Sequence, residues 1–311
     1  MVSGLPHGYT VEPVAPGLFR VATDVVVAAD MDLSGYSEFT IDDLHSLTRR
    51  DRVDLTRDSW LVRHEGDPIA FGLLWDSKPN ELFYSFGVVR KRHQGLGIGT
   101  MLFEAAEARA RERGGAGTVL RTIIDMNEPH AARLAESRGF RFVRRNWSMR
   151  VKLDSLPEVP AIPEGISIRR GTASEEDARL LHELVNETFE DHWGFVPRSY
   201  EEFSRMFLAR TDNDPEMWFF AYEGDEPVGV LLGQMAGDEG WVGDLGVRKA
   251  WRKRGVGEAL LRIVFRAFYE KGIDRVGLAV DTGNETGAVR LYERVGMEPA
   301  RGDDEYERVL D

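Results

Sequence analysis

The chain of 311 residues contains no cysteine. This excludes disulfides, thiolate metal sites and acyl transfer through a cysteinyl intermediate. No apolar run of about 18 residues occurs, so no stretch reads as a membrane-spanning helix. Residues 1–8 lack the basic segment and the apolar core of a secretory signal, and the cytoplasm is the expected compartment. The histidines (His7, His45, His64, His93, His130, His182 and His192) are scattered without metal-ligand spacing, so no metal is expected. Positive charge is in the minority: 40 Lys and Arg against 53 Asp and Glu give a net charge of −13. That balance repels nucleic-acid phosphates and suits a cationic small molecule as well as plain solubility. Neither nucleic acid nor membrane is expected as a partner, and the expected state is a monomer or homodimer.

What is present centres on residues 245–261, which read as a strand end, a basic loop with glycines, and the first turns of an amphipathic helix. The first amides of a helix have no intrahelical acceptor and the macrodipole adds positive charge, so such a start binds anions. Gly255 and Gly257 are expected to let a pyrophosphate approach the main chain, with charge from Arg252, Lys253 and Arg254. The dinucleotide fingerprint needs glycine where Leu260 stands, and a Walker loop needs Gly-Lys-Ser/Thr, which is absent.

The stretch occurs twice. Val89, Gln94, Gly97 and Gly99 each stand 158 residues before Val247, Arg252, Gly255 and Gly257, and Trp60 stands 158 before Trp218. Downstream, Asn127, Ala131, Leu134 and Gly139 pair with Asn284, Ala288, Leu291 and Gly296 at an offset of 157. A period this long exceeds solenoid repeats, so each copy is expected to be a whole domain. The expected layout is a first domain over 1–153, a stiff linker over 154–164 carrying Pro157, Pro160 and Pro163, and a second domain over 165–311.

Within the first copy, residues 9–14, 60–64, 69–74, 81–89, 119–124 and 142–151 read as strands, and 23–31, 40–47, 98–113 and 130–137 as helices. In the second, strands are expected over 166–170, 218–222, 228–234, 241–247, 276–280 and 306–310. Helices are expected from the Ser174 cap onward and over 200–209, 255–271 and 286–295. Strands and helices in mixed order predict an α/β (α+β) fold, twice over: a mixed central sheet flanked by helices.

The spacing Arg/Gln-x-x-Gly-x-Gly/Ala, met by Arg252, Gly255 and Gly257 and by Gln94, Gly97 and Gly99, resembles the acetyl-CoA signature of the GNAT superfamily of N-acetyltransferases. The resemblance covers most of both halves and implies a tandem GNAT protein that uses acetyl-CoA and a small-molecule amine acceptor. It further implies cofactor contacts from Leu245, Gly246, Val247, Arg252, Lys253, Arg254, Gly255, Val256, Gly257, Glu258, Ala259 and Asn284. A second cofactor site is implied at Val89, Gln94, Gly95, Leu96, Gly97, Ile98, Gly99 and Thr100. In the family's Asn-x-x-x-Ala-x-x-Leu-Tyr-x-x-x-Gly-Phe helix the tyrosine protonates the departing thiolate. Here Asn284, Ala288, Leu291, Tyr292 and Gly296 match, with Met297 in place of phenylalanine. Tyr292 is therefore the expected general acid. In the first copy Ala135 occupies that position, and a methyl group donates no proton, so that half is expected to be catalytically degenerate.

Asp244, on the strand before the loop, is the candidate base, with Glu239 as fallback. The loop 190–197 combines acids, a histidine and aromatics; Asp191, His192 and Trp193 are the candidate acceptor contacts, or else part of a loop that pins helices together. The layout also resembles tandem members of the superfamily that acetylate a cysteinyl amine on a sugar conjugate, although the Asp-His-Trp-Gly loop has no counterpart there. A non-catalytic CoA-binding sensor or scaffold is the competing reading.

Overall fold

The computed structural model describes residues 5, 7–50, 52–158, 161–284 and 286–311. Val159 and Pro160 of the expected linker, and residues 1–4 and 6 of the N-terminal stretch, lie outside the described residues. In the first half β1 (Tyr9–Glu12) leads to α1 (Phe19–Ser34), α2 (Ile41–Thr48) and α3 (Leu55–Asp58). The hairpin β2 (Ser59–His64) and β3 (Asp67–Lys78) comes next, then β4 (Leu82–Val89), α4 (Ile98–Gly114), β5 (Val119–Asp125), α5 (Pro129–Ser137) and β6 (Arg141–Lys152). The second half runs β7 (Ile166–Arg170), α6 (Glu175–Phe189), α7 (Tyr200–Phe203), β8 (Trp218–Glu223), β9 (Glu226–Ala236) and β10 (Glu239–Val247). It closes with α8 (Val256–Glu270), β11 (Arg275–Asp281), α9 (Ala288–Arg294) and β12 (Glu298–Val309).

Local chemistry sets many of these boundaries. Thr40 caps α2 in a reciprocal box with Asp43, and the Ser174 side chain accepts from the Asp177 amide at the start of α6. Glu65 and Gly66 both take positive φ (50° and 93°), which matches the twist of the β2–β3 hairpin. The expected helix 200–209 is instead one α turn continued by a π-type segment, Ser204–Leu208. The short α3 gives no periodic signal in the sequence and was not expected.

Two compact units result, Met1–Arg145 with Asp303–Asp311, and Asn146–Gly302. Their limits differ from the expected 1–153 and 165–311, because the last strand of each copy is exchanged. Residues 146–152 of β6 pair antiparallel with β11 in the second unit, and residues 303–309 of β12 pair antiparallel with β5 in the first. The strand order is β1-β2-β3-β4-β5-β12 in the first unit and β6-β11-β10-β9-β8-β7 in the second. Each sheet contains one parallel pair, β4 with β5 and β10 with β11.

Both faces of each sheet are covered. In the second unit α8 buries Val256, Leu260, Val264 and Phe268, a stripe at helical spacing, against Leu231, Val242 and Leu278. On the other face α6 and α7 bury Leu181, Val185 and Phe203 against Trp218, Phe220, Val230 and Leu232. The central strand β9, covered on both sides, is accordingly apolar through residues 228–232 rather than alternating.

Removing residues 303–311 strips the outer partner from β5. Hydrogen exchange on that truncation is expected to show lost amide protection over 119–125 with protection over 275–281 retained; the reverse pattern would contradict the exchanged pairing.

Candidate functional site

β10 and β11 run in parallel but pair only from residues 240–242 to residues 276–278. Beyond Val242 they part. β10 keeps its ladder with β9 as far as Val247, while β11 stays with β6 to Asp281. A bulge between Val242 and Asp244, with Gly243 as the extra residue, marks the parting. Ladder bonds alternate along an antiparallel strand, and the Arg248 amide donates to the Val228 carbonyl at 2.9 Å. That alternation aims the N–H and C=O groups of Leu245 and Val247 into the gap. The Val247 carbonyl accepts there from Arg252 Nε at 2.9 Å.

A cleft of about 250 Å³ runs along the gap, lined by residues 242–243 and 245–247 on one side and 278–281 on the other. At its mouth lies the start of α8. No side chain caps this helix, and Gly255 before it is left-handed (φ 84°). The first helical bond runs from the Ala259 amide to the Gly255 carbonyl at 3.0 Å, so the amides of Val256, Gly257 and Glu258 have no helical acceptor. These three residues line the cleft.

Individual expectations for this loop need correction. Arg252 lines the cleft, but its guanidinium is bound to the carbonyls of Val247 and Thr188, the latter at 3.1 Å. Lys253 lines it in a left-handed conformation (φ 62°) and makes no ion pair among the described residues. Arg254 is absent from the lining and pairs with Glu223. Ala259 is buried and its amide is already used, so it offers nothing to a ligand. A Cβ at Gly257 would lie 3.3 Å from Leu291 Cδ2, which ties this glycine to the packing of α8 on α9 as well as to ligand clearance. Gly246 is likewise demanded by a neighbour, since its Cβ would fall 2.0 Å from Thr188 Oγ1.

Tyr292 projects from α9 into the cleft and is 8% exposed. Burial first, and the charge of Asp244 second, push its phenol up to about 12. Asp244 is half-buried and does not itself line the cleft, although Gly243 and Leu245 beside it do. The bulge places it opposite Leu232, on the α6 face of the sheet. Burial raises its carboxyl, opposed by the charge of Arg198. The fallback Glu239 is bound to Arg150 at 2.7 Å at the far end of β10, and is not available as a base.

Asn284 lines the cleft, and its Oδ1 accepts from the Thr286 amide at 2.8 Å. Of the acceptor candidates, His192 lines the cleft, with its imidazole held below its ordinary value by burial and then by Arg252; Asp281 and Asp191 oppose this. Asp191 instead pairs with Lys249 at 2.8 Å, and Trp193 is 38% exposed on the same loop. Thr188, Phe189 and Arg294 also line the cleft. They escaped sequence reading because no motif spacing singles them out.

The first unit repeats the geometry. β4 and β5 pair only from Leu82 and Val119 to Ser85 and Thr122, while β4 continues with β3 to Val89. α4 starts at Ile98 without a side-chain cap after left-handed Gly97, with Gly95 also left-handed. Gln94 Nε2 donates to the Val89 carbonyl at 3.3 Å, the counterpart of the Arg252 bond to Val247. A Cβ at Gly99 would lie 3.3 Å from Leu134 Cδ2, as at Gly257. Leu96 is exposed, Ile98 is buried and Thr100 sits half-buried in the first turn. At the position of Tyr292 the buried residue is Ala135.

Both units thus share a mixed sheet whose parallel pair parts beside a helix start without a side-chain cap. The chain matches the Acetyltransferase (GNAT) family over residues 29–140 and 179–297 and belongs to that family. It is a tandem GNAT N-acetyltransferase. A mycothiol acetyltransferase from Thermobispora bispora is 32% identical over 252 residues, 76% of this chain and 79% of that protein. The crystal structure of a GCN5-related N-acetyltransferase from Sphaerobacter thermophilus superposes with a TM-score of 0.80 at 29% identity, covering 99% of this chain and 97% of the other. A tandem GNAT protein from the clavulanic acid biosynthesis pathway shares the fold, with a TM-score of 0.73 at 18% identity over 97% of this chain and 99% of its own. No helix among the described residues is long and apolar enough to cross a membrane.

The raised phenol predicts that Tyr292 stays protonated at pH 10.5, where an exposed tyrosine is largely ionised. Tyrosinate absorbance at that pH is expected to be the same in the wild type and in Tyr292→Phe; a deficit of one tyrosinate in the variant would contradict it. The folded pKa lies above the unfolded one, so this group's contribution to stability is complete below about pH 10 and is lost as pH rises through about 12.

Proposed function

We propose that the second unit moves an acetyl group from acetyl-CoA directly to the amine of a small molecule. The observation that carries this reading is Tyr292, a buried phenol, in the same cleft as the open edge of β10 and the uncapped start of α8. The site suits the ligand. A pantetheine arm has amide groups that can bond Leu245 and Val247 as a neighbouring strand would, and a diphosphate suits the free amides of residues 256–258 beside Lys253. Asn284 is suited to hold the arm, and Arg252 to fix the loop that receives the phosphates.

Acetyl-CoA supplies an activated thioester. The acceptor must arrive with its amine neutral, although a free alkyl amine has a pKa near about 10. Asp244, its carboxyl raised by burial, is the proposed base for that proton, acting from the α6 side. A backbone N–H of β10 is suited to stabilise charge on the carbonyl oxygen. Tyr292 gives its proton to the departing sulfur, whose conjugate thiol has an ordinary pKa of about 8.5. Burial, and after it the charge of Asp244, favours the neutral phenol, so the donor is in the right form at neutral pH. The first unit keeps the cradle but has Ala135 where the donor would be, and its proposed role is structural, with or without bound CoA.

A more specific reading is mycothiol-synthase-type acetylation of a cysteinyl amino-sugar conjugate. It is supported by the 32% identity with a mycothiol acetyltransferase and by the tandem layout. A non-catalytic CoA sensor is disfavoured by the intact Tyr292.

The test is the rate of CoA release across a panel of amines. Tyr292→Phe is expected to lower kcat by about a hundredfold or more while leaving the KM for acetyl-CoA nearly unchanged. An unchanged kcat would reject the proton-donor role.

A further inference from the structure

One charged side chain on the α6 face has no role in the chemistry above. Arg198 lies in the segment between α6 and α7, and its backbone is gripped from α6. Its amide donates to Asn186 Oδ1 at 3.3 Å, and its carbonyl accepts from Asn186 Nδ2 at 3.0 Å and from His182 Nε2 at 2.7 Å. The guanidinium carbon lies over the Phe207 ring, 5.4 Å from its centroid, and the residue is half-buried. Among the described residues this guanidinium makes no hydrogen bond and no ion pair. Other arginines of this unit differ: Arg169 has Asp177, Arg248 has Glu187, and Arg252 has two carbonyls.

Asp244 is its complement. Its carboxylate also makes no hydrogen bond or ion pair among the described residues. It stands opposite Leu232, a member of the cluster against which Phe207 packs, so both charges belong to the same face of the sheet. Arg198 acts electrostatically on Asp244, yet the two do not meet as a salt bridge. Two unlike charges, each half-buried and without a protein partner among the described residues, leave hydrogen-bonding capacity that a ligand carrying the opposite charges can use. A guanidinium fork accepts a carboxylate with two parallel hydrogen bonds, and one guanidinium balances one such charge. An amine in the same molecule would then be served by Asp244, the base of the proposed reaction.

We propose that the acceptor is an amino carboxylate, an amine with a free carboxylate a few bonds away, and that Arg198 selects it by binding that carboxylate. This rests on the acetyl-transfer reading above and narrows its substrate class to acceptors with a free carboxylate; a cysteinyl amide of an amino sugar has none, so the inference stands against the mycothiol-type acceptor. Asn186 and His182 are positioning residues, since they hold the Arg198 backbone and not the ligand.

The test compares CoA release from acetyl-CoA with free amino acids and with the matching primary amides, using the full chain as wild type, Arg198→Gln and Arg198→Lys. Wild type is expected to favour the free acids by tenfold or more in kcat/KM. Arg198→Gln is expected to raise the KM for the acids by about tenfold to a hundredfold. The KM for the amides and the KM for acetyl-CoA should stay as in wild type. Arg198→Lys, which keeps the charge without the fork, is expected to recover part of the preference. Equal use of acids and amides by the wild type overturns the inference and leaves acetyl transfer standing. So does an equal loss on both series in Arg198→Gln, which would assign Arg198 to tuning Asp244. If neither these compounds nor any other amine releases CoA above the acceptor-free rate, the acetyl-transfer reading falls, and this inference with it.

Discussion

The second unit is organised around backbone that its own sheet leaves without a strand partner. β10 and β11 begin as neighbours, and the bulge at Gly243 ends their pairing after three residues on each strand. The rest of the site depends on that parting. The peptide groups of Leu245 and the Val247 amide are turned toward open space, the cleft extends between the strands, and Tyr292 reaches it from α9. The start of α8 adds a second set of unpaired amides at the mouth. Two sources of unmet hydrogen bonding, a strand edge and a helix terminus, thus face one elongated space. In the proposed reaction an amide-bearing arm ending in a diphosphate meets both.

Duplication shows which parts of this arrangement belong to the scaffold. Both units part their parallel strands, begin the next helix after a left-handed glycine, and tie the loop to the preceding strand end through Gln94 or Arg252. Gly99 and Gly257 press their helices against the same leucine of the next helix, Leu134 or Leu291. The units differ where a proton donor would stand, with Tyr292 in one and Ala135 in the other. Geometry common to both halves is therefore kept for folding or for binding, and the differences include the missing hydroxyl at Ala135 and Phe86 where the second unit has Asp244.

Much of this was legible in the sequence because it depends on local rules. The glycine-bearing loops, the Thr40 and Ser174 caps and the stripe on α8 follow from residue type and spacing alone. The 158-residue offset announced two units. It did not announce that each copy gives its final strand to the other unit's sheet. A strand's pattern of apolar residues states which face is buried but not which edge it joins, and the two copies offer equivalent edges. The direction of Asp244 was hidden for a related reason. A bulge shifts the alternation by one residue, and nothing in residues 239–247 marks Gly243 as the extra one. The third case is Arg254, which reads as a phosphate ligand by position but is claimed by Glu223, a partner far away in sequence.

The most direct measurement is a crystal structure of the full chain with bound coenzyme A. If the parted strands and the start of α8 form the donor site, the pantetheine will run beside residues 245–247 and the diphosphate will sit on the amides of 256–258. The thiol will then lie within hydrogen-bonding distance of the Tyr292 hydroxyl. Coenzyme A bound away from this gap, or a thiol out of reach of Tyr292, would contradict the proposed mechanism.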